Sequence, residues 1–249
     1  MARIVGIIPA RYESKRLPGK MLLELTGKPL IIHTYERARA ATLLDRVIVA
    51  TDDARILEAV TAAGGEAVLT AGRHRSGSDR IAEVASTLEC DIVVNVQGDE
   101  ALIEPEIVDA AARLLLDRPD AAMGTMACPI RTAEEYTDRS VVKVVLTAGR
   151  EALYFSRAPI PHSKTGRFAP GLAAYRHIGI YSFRRDYLLA YAALPPSPLE
   201  QAEDLEQLRA LEDGAHIVVG IAEGHTSLKI DTQEDLERAR ELLCRSTSS

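Results

Sequence analysis

The sequence predicts an α/β fold built on a doubly wound, mostly parallel sheet. Three observations support this prediction: short β-branched runs alternate with amphipathic stretches of helical length, the runs are apolar on both faces, and no linker rich in glycine, serine or proline interrupts the middle of the chain. Runs that are apolar on both faces are typical of parallel strands covered by helices. Such sheets bind ligands at the carboxyl ends of their strands, so functional residues are expected in the loops that follow.

The first half of the chain consists of repeated strand–helix units. A short apolar strand at residues 4–8 should end at Pro9, which has no N–H to continue the pairing. Further strands are predicted at residues 46–50, 66–69, 91–96, 123–127 and 141–146. Amphipathic periodicity predicts helices at residues 29–41, 54–63, 78–88 and 105–116.

The pattern becomes irregular after residue 150. The proline-containing segment 152–181 predicts a smaller inserted lobe, at about residues 150–182, for substrate binding or dimerisation. A helix then opens with a capping box, in which Ser197 caps, Pro198 occupies the first turn and Glu200 closes the box.

The C-terminal part returns to regular structure. A strand is predicted at residues 217–221 and a last helix after Thr232. Residues 1–244 are therefore expected to form a single domain. The polar residues 245–249 are expected to form a disordered tail.

Composition limits the possible classes of protein. The 249-residue chain is 47% hydrophobic and 27% charged, which is ordinary for a well-cored globular protein. Its net charge of -6 argues against a nucleic-acid partner, because polyanion-binding proteins usually carry an extended basic face. Three dispersed cysteines without a CxxC pair fit reduced thiols in the cytosol. No run approaches the roughly 20 apolar residues of a membrane span, so a cytoplasmic protein is expected.

The loop after the first strand is strongly cationic. Its sequence, IPARYESKRLPGK, contains Arg11, Lys15, Arg16 and Lys20, although the chain as a whole is acidic. GxGxxG and GxxxxGK[ST] are absent after this strand, so neither a dinucleotide site nor a P-loop is predicted. The Arg and Lys side chains together with Gly19 could instead hold a triphosphate through charge-assisted hydrogen bonds. The alternative is a solvated basic loop.

Carboxylates follow the buried strand at residues 91–96. The stretch VNVQGDE places Asp99 and Glu100 directly after it, where an α/β sheet builds its site. Magnesium is typically held by one or two carboxylates together with substrate phosphates and water, and Asp231 in LKIDTQEDL could supply a second ligand. On these residues alone, turn formation by the Gly-Asp pair and assistance by Asp231 in capping the last helix remain the alternatives.

Seven segments, in order along the chain, resemble the signature segments of one family. They are IPARYESKRLPGK, HRSGSDRIAE, NVQGDE, ALYFSRAPIP, RHIGIYSF, SPLEQAEDLEQLR and IDTQEDLERAR. The family is that of the CMP-Kdo synthetases, or 3-deoxy-manno-octulosonate (Kdo) cytidylyltransferases, and the resemblance extends from about residue 3 to residue 243. It implies a Rossmann-like nucleotidyltransferase fold, usually in a homodimer. It also implies an enzyme that uses Mg²⁺ to convert CTP and Kdo to CMP-Kdo and pyrophosphate, for lipopolysaccharide biosynthesis.

The resemblance assigns residues to the nucleotide side of the site. The expected nucleotide-binding residues are Ala10, Arg11, Lys20, His74, Ser76, Gly77 and Asp99. Within this set Arg11, Lys20 and Asp99 are expected to be catalytic, and Asp99 with Asp231 to hold Mg²⁺. The anomeric 2-hydroxyl of the sugar would attack the α-phosphorus, a reaction that needs in-line positioning and electrostatic stabilisation rather than a protein nucleophile.

The resemblance also assigns residues to the sugar side. The expected sugar-binding residues are Arg80, Gln97, Arg157, His177, Tyr181, Glu200, Glu203 and Gln207. Arg157 is the candidate for the sugar carboxylate, and a salt bridge in the lobe or at a dimer interface is its alternative role. Glu203 and Gln207 are expected one helical turn apart, facing sugar hydroxyls. For Glu200 two roles are predicted equally: a contact with the sugar, or its place in the capping box.

Three positions depart from the usual family pattern, since Met21, Ala101 and Gln233 stand where a proline is common. These changes loosen loops without removing any charge. Two other functions remain open: a cytidylyltransferase for another 2-keto acid sugar such as sialate, and a nucleotide-binding regulatory module without turnover. The FSR and LEQLR segments argue against the first, and the retained charged residues argue against the second.

Overall fold

The computed structural model describes residues 2–14, 16–169, 171–225 and 228–246. These residues form a nine-stranded mixed sheet covered by helices, together with a separate two-stranded ribbon. The strands are β1 (Ile4–Ala10), β2 (Glu24–Leu25), β3 (Lys28–Pro29), β4 (Arg46–Thr51), β5 (Ala67–Leu69), β6 (Ile92–Asn95), β7 (Met123–Pro129), β8 (Lys143–Leu146), β9 (Ala152–Ser156), β10 (Tyr175–Arg184) and β11 (Ile217–Ile221). The helices are α1 (Leu30–Arg39), α2 (Ala54–Ala62), α3 (Gly77–Ser86), α4 (Pro105–Asp117), α5 (Ala133–Thr137), α6 (Arg185–Ala193), α7 (Pro198–Glu203), α8 (Gln207–Glu212) and α9 (Gln233–Ser246).

The main sheet has the order β11-β7-β10-β6-β1-β4-β5, and β8 joins β9 to the side of β10. β6, β1, β4 and β5 run parallel to one another, as do β7 and β11. β10 lies between β6 and β7 and is antiparallel to both. The predicted doubly wound α/β fold is therefore confirmed, and one long antiparallel strand joins its two parallel parts.

The hydrophobic core is divided between the two faces of the sheet. Successive side chains of a strand point to opposite faces, and on β1 Ile4 and Ile8 pack in one core while Val5 and Ile7 pack in the other. The first core includes apolar residues of α1, α2, α4 and α9, and the second includes those of α3, α6 and α8. Helices on both faces leave the ends of the strands as the open part of the sheet.

The first strand is longer than predicted, because Pro9 does not end it. Pro9 and Ala10 still pair with β4, opposite Ala50 and Thr51. The carbonyl of Ile7 accepts from Val96 on the opposite, β6 side. Pro9, two residues further, has its nitrogen on that same side, beyond the last residue pair with β6 at Ile7. The missing N–H therefore removes no ladder hydrogen bond.

The segment predicted as a lobe, about 150–182, belongs largely to the sheet. Its ends form β9 and β10, and β10 lies in the middle of the main sheet. Residues 157–174 are irregular where they are described, and around them Ile130, Tyr136 and Ala174 form a small third core. β9 and β10, which lie within the predicted lobe, are therefore strands of the main sheet.

The C-terminal elements match their predicted types. α7 begins with the full capping box of Ser197 and Glu200, and β11 and α9 lie where they were expected. α9 reaches Ser246, so it includes the first two residues of the predicted tail, and residues 247–249 lie outside the described ranges. Among the described helices, none combines the length and apolar character needed to span a membrane.

Candidate active site

Two adjoining cavities open at the carboxyl ends of β1 and β6. The smaller cavity, of about 270 Å³, is bounded by the end of β1, the cationic loop, the start of α3 and the loop after β6. The larger cavity, of about 810 Å³, is bounded by β10, the corner between α7 and α8, and the segments beside β8 and β9. The side chains that line both cavities are Arg16, Gln97, Lys229 and Asp231. We call the place where they meet the junction.

The cationic loop turns back under the sheet edge and buries one of its lysines. Gly19 has a φ of +66°, a left-handed conformation that strongly favours glycine, and its N–H donates to the carbonyl of Tyr12. A single 3₁₀ turn over Lys20–Leu22 follows. It places Lys20 inside, with only 7% of the residue exposed. Lys15 lies outside the described residues.

Lys20 lies between the two predicted metal carboxylates. Its Nζ is 2.7 Å from Asp99 Oδ2 and 2.8 Å from Asp231 Oδ1, and it also donates to the carbonyl of Ile230 at 3.2 Å. Arg16 contacts the other oxygen of Asp231 at 2.6 Å. The fold thus brings together three charged segments that are far apart in the sequence: the cationic loop, the turn with Asp99 and the loop with Asp231. Lys20 is not part of a solvated basic loop.

The loop after β6 fixes the direction of Asp99. A Cβ on Gly98 would lie 2.8 Å from the carbonyl oxygen of Pro9, so only glycine fits there, and Thr34 donates to the Gly98 carbonyl at 2.9 Å. The Asp99 carbonyl accepts from Ile230. Asp99 is buried, and its Oδ1 has no hydrogen-bond partner among the described residues. A buried carboxylate oxygen without a partner is costly, so this oxygen is suited to binding a cation.

Asp231 is a site residue rather than a helix cap. At the start of α9, Asp235 accepts from the N–H of Thr232 at 2.9 Å, and the Thr232 hydroxyl accepts from the N–H of Asp235. The carboxylate of Asp231 is free for Lys20 and Arg16. Burial acts to raise the pKa of Asp231, but hydrogen bonding and charge from Lys20 outweigh it and hold the pKa below its usual value. The capping alternative for Asp231 is therefore wrong.

The opposite wall of the smaller cavity is the start of α3. Ser76 caps this helix by accepting from the N–H of Asp79, and Gly77 lies against the ring of Pro9. His74 Nε2 is 2.8 Å from a carboxylate oxygen of Glu83. The free N–H groups at the start of a helix favour a negatively charged or hydrogen-bond-accepting ligand.

The predicted nucleotide-binding residues all border the smaller cavity. Those present in its lining are Ala10, Arg11, Lys20, His74, Ser76, Gly77 and Asp99. Arg11 is exposed and has no ion pair with another described residue, so its charge is available to a ligand. Whether these residues bind a nucleotide stays a prediction.

Arg80, a predicted sugar-binding residue, lines the smaller cavity. Its guanidinium is buried in the lining of the smaller cavity, 2.7 Å from Asp52 Oδ2 and 2.6 Å from the hydroxyl of Thr70. It does not line the larger cavity. The reason is its position in the first turn of α3, which directs it toward the end of β4 rather than toward β10.

The larger cavity is lined by an irregular part of β10. The pairing register with β7 shifts between Ile178 and Tyr181, as in a β-bulge, which re-aims side chains. Thr125 stabilises this region: its hydroxyl donates to the Ile180 carbonyl at 2.7 Å and lies 2.9 Å from Nε2 of His177. His177 must then donate through Nε2, which leaves Nδ1 as an acceptor.

Two polar residues of β10 that line the larger cavity, His177 and Tyr181, are uncharged. Burial, aided by the charge of Lys229, lowers the pKa of His177 to about 3. Burial raises the pKa of Tyr181 well above its usual value, and the Tyr181 hydroxyl donates to Oε1 of Gln207 at 3.1 Å. The amide nitrogen of Gln207 is buried and has no partner among the described residues. Gln97, His177, Tyr181 and Gln207 therefore form a neutral hydrogen-bonding wall.

Arg157 lines the larger cavity, but its donors are directed at the protein. Its guanidinium donates to the carbonyls of Glu203 at 2.8 Å, Asp204 at 3.1 Å and Arg139 at 3.3 Å. Lys143, which is fully buried, donates to the Arg157 carbonyl at 2.7 Å. Arg157 thus holds the corner between α7 and α8 while remaining accessible from the cavity.

Glu200 and Glu203 lie outside the lining of both cavities. Glu200 completes the capping box and contacts Arg209 at 3.2 Å, so the capping role is correct. Glu203 accepts from the Ser156 hydroxyl at 2.6 Å and supports the backbone of Arg157. The predicted helical turn from Glu203 to Gln207 does not exist, because Asp204 has a φ of +54° and separates α7 from α8.

The residues of the larger cavity that sequence reasoning missed include the charged Arg176, Glu206 and Lys229. Glu206 directly precedes Gln207 in the LEQLR segment, and Lys229 lies two residues before Asp231. Both positions lie within two residues of a predicted site residue, so a search of the flanking positions would have found them. Burial raises the pKa of Glu206, against hydrogen bonding from Ser76, which lines the smaller cavity.

Comparison with known proteins identifies the family. The family model described as "Cytidylyltransferase" matches residues 5–217. The chain is 50% identical over 246 residues to the 3-deoxy-manno-octulosonate cytidylyltransferase of Pelobacter propionicus, with 96% of each chain covered. It is 48% identical over 248 residues to the enzyme of the same name from Geobacter sulfurreducens, with 96% of this chain and 99% of that one covered.

Solved structures agree with this result. The structure of a CMP:2-keto-3-deoxy-manno-octonic acid synthetase complexed with CTP has a TM-score of 0.93 and 43% identity, and the match covers 98% of this chain and 100% of that one. A 4-diphosphocytidyl-2C-methyl-D-erythritol synthase from Anaerococcus prevotii has a TM-score of 0.64 at 14% identity over 98% and 99% of the two chains, which shows a shared fold alone. The chain therefore belongs to the cytidylyltransferase family, among the 3-deoxy-manno-octulosonate cytidylyltransferases.

Proposed function

We infer that the chain is a nucleotidyltransferase that activates 3-deoxy-manno-octulosonate. It transfers CMP from CTP to the sugar with release of pyrophosphate, and its product serves lipopolysaccharide biosynthesis. The observation that carries this inference is the junction: two cavities of different character meet beside a cluster of Lys20, Asp99 and Asp231. The relatives named above supply the identity of the two substrates.

The smaller cavity is proposed for CTP. Arg11 and Lys20 would bind the triphosphate, and the start of α3 with Ser76 and Gly77 would contact the cytosine, beside His74. The sugar hydroxyl attacks the α-phosphorus, and the bond from that phosphorus to the pyrophosphate oxygen breaks. The cations of this cavity stabilise the negative charge that grows on the departing pyrophosphate. None of this requires a protein nucleophile.

Asp99 and Asp231 are proposed to hold Mg²⁺. The donor set suits this ion, since two carboxylates converge and the buried Oδ1 of Asp99 has no partner among the described residues. Bound there, Mg²⁺ would neutralise phosphate charge and make the sugar hydroxyl easier to deprotonate. Lys20 contacts both carboxylates and balances their charge. The same lysine can turn to the phosphates once its partners are otherwise neutralised.

The larger cavity is proposed for the sugar. Gln97, His177, Tyr181 and Gln207 present neutral donors and acceptors, which suit hydroxyl groups. Arg157 also lines this cavity and holds the corner that carries Gln207. We also propose, on the resemblance, that the active form is a homodimer and acts in the cytoplasm. Light scattering coupled to size exclusion tests the oligomeric state.

The test of the proposed function is pyrophosphate release from CTP and Mg²⁺ with a panel of keto-acid sugars. Rapid release with 3-deoxy-manno-octulosonate, and little with sialate, is expected. Preference for sialate would contradict the substrate assignment. CTP binding without pyrophosphate release from any sugar of the panel would instead favour a regulatory module.

A further inference from the structure

The proposed reaction brings two anions together at the junction. The sugar carries its carboxylate on the same carbon as the attacking anomeric hydroxyl, so the carboxylate must lie within a few bonds of the α-phosphate. Their repulsion has to be offset at this place. Among the described residues, the side chains that line both cavities are Arg16, Gln97, Lys229 and Asp231.

Of the two junction cations, Arg16 and Lys229, Lys229 makes the longer contact with its carboxylate. Arg16 is held by Asp231 at 2.6 Å, and Gln97 has no charge. The Nζ of Lys229 is 3.9 Å from Asp99 Oδ2, beyond hydrogen-bond distance, and 52% of its side chain is exposed. Its charge is therefore close enough to the site to act and free enough to move toward a ligand.

The other cations of the larger cavity are less available. Arg157 donates to three backbone carbonyls. Arg176 is held by Glu135 at 2.9 Å and by the His225 carbonyl at 2.5 Å. Neither of them lines the smaller cavity, where the hydroxyl beside the carboxylate must reach the phosphorus. A carboxylate held deep in the larger cavity would carry that hydroxyl away from the junction.

We propose that Lys229 binds the carboxylate of the keto-acid sugar and thereby positions its anomeric hydroxyl for attack. This proposal rests on the proposed function. It assigns Lys229 the selection of acidic sugars, and it leaves to Arg157 the shape of the cavity wall. A direct contact between an ammonium and a carboxylate is worth about 1.5 to 3 kcal/mol, which corresponds to roughly 10- to 150-fold in affinity.

The test compares Lys229→Gln with wild type, using the sugar and its neutral carboxamide analogue. Lys229→Gln should raise the KM for the acidic sugar roughly 10- to 100-fold, and should leave the Kd of CTP measured without sugar unchanged. With the carboxamide, the variant and wild type should behave alike. Lys229→Arg should restore most of the affinity for the acidic sugar. Lys164→Gln, an exposed lysine outside both cavities, is the matched control and should equal wild type.

Three results would overturn the proposal. If Lys229→Gln raised the KM equally for the acidic sugar and its carboxamide, Lys229 would act on the phosphate. Weaker CTP binding by the variant would make Lys229 a nucleotide ligand. Unchanged kinetics would remove Lys229 from the site. Failure of the proposed function is distinguishable, because wild type itself would then release no pyrophosphate from CTP and 3-deoxy-manno-octulosonate.

Discussion

The two cavities differ in how their polar groups are balanced. The smaller cavity is lined by ion pairs, such as Lys20 with Asp99 and Arg80 with Asp52. On the wall of the larger cavity formed by β10, Arg176 is paired with Glu135, and the other polar groups are neutral: burial keeps His177 uncharged, and Tyr181 donates to Gln207. The smaller cavity therefore holds exchangeable charge, whereas the His177, Tyr181 and Gln207 part of the larger cavity holds uncharged hydrogen bonds.

This difference matches the two proposed ligands. A triphosphate brings several charges that can replace those of the protein, so a buried ammonium or carboxylate is not left unpaired when its partner changes. A sugar brings hydroxyls, which neutral groups can bind without the cost of burying an unmatched charge. Substitutions in the smaller cavity should therefore change turnover, and those in the larger cavity should change the KM for the sugar.

The largest effect is expected from Asp99→Asn. The change removes one of two converging carboxylates, and activity should fall by roughly 10³-fold, equivalent to about 4 kcal/mol of transition-state stabilisation. Pyrophosphate release across a Mg²⁺ titration measures it. Asp186→Asn, an exposed carboxylate at the start of α6, is the control. Full wild-type activity in excess chelator would show that the carboxylates do not act through a metal ion.

The next effect is expected from Lys20→Ala, which should lower kcat by roughly 10² to 10³, the range for loss of one preorganised charge donor. The KM for the sugar should change little, because Lys20 does not line the larger cavity. Steady-state kinetics with each substrate varied in turn measures both constants. Lys28→Ala, a surface lysine paired with Glu36, should be neutral. A folded Lys20→Ala enzyme with normal kcat would return this lysine to a structural role.

A smaller effect, confined to the sugar, is expected from Arg157→Lys. Lysine cannot donate in a planar fork to the carbonyls of Glu203 and Asp204, so the corner that carries Gln207 should loosen. The KM for the sugar should rise roughly 10- to 100-fold, in line with about 1.5 to 3 kcal/mol for charged hydrogen bonds. The KM for CTP should stay constant. A fall in Tm with both KM values unchanged would make Arg157 purely structural.

The smallest effect at neutral pH, and one that grows on acidification, is a change in the pH dependence of stability caused by His177→Gln. The pKa of His177 is about 3 in the folded chain and about 6.5 when unfolded, so below pH 6.5 the unfolded state binds the proton more readily. Stability should therefore fall as pH decreases from 6.5 toward 3, by at most about 1.4 kcal/mol per pH unit. Urea unfolding at several pH values should show a shallower decrease for the variant. Identical slopes would mean that this histidine does not titrate on unfolding.

The two cavities were predictable to different degrees. The residues placed at the smaller cavity lie in loops directly after β1 and β6, or at the start of α3, so identifying each strand was enough to locate them. The larger cavity depends on a long-range arrangement. Arg80 and Glu203 were predicted to bind the sugar but do not line this cavity, because Arg80 pairs with Asp52 and the left-handed Asp204 ends α7 after Glu203.

Some alternatives could be decided only by atomic contacts. The sequence allowed Asp231 to be a cap or a ligand, and the position of Asp235 at the start of α9 decides against the cap. It also allowed Glu200 to contact the sugar, and its bond in the capping box together with Arg209 decides for the cap. In both cases the residue that decides the role lies three or four residues away or on another helix. Several pairings were therefore sterically possible from the sequence.

The sequence by itself determined the alternating α/β order, the cationic loop, the acidic turn after β6 and the family to which these segments belong. Local composition is sufficient for these features, since periodicity, capping residues and strand-to-loop transitions act over a few residues. Only the tertiary structure decided that β10 runs antiparallel through the middle of the sheet, that Lys20 balances Asp99 and Asp231, and that Lys229 stands at the junction. The physical reason is that Lys20 and Asp231 are 211 residues apart in the chain, and only packing of the sheet and its helices brings such groups within hydrogen-bond distance.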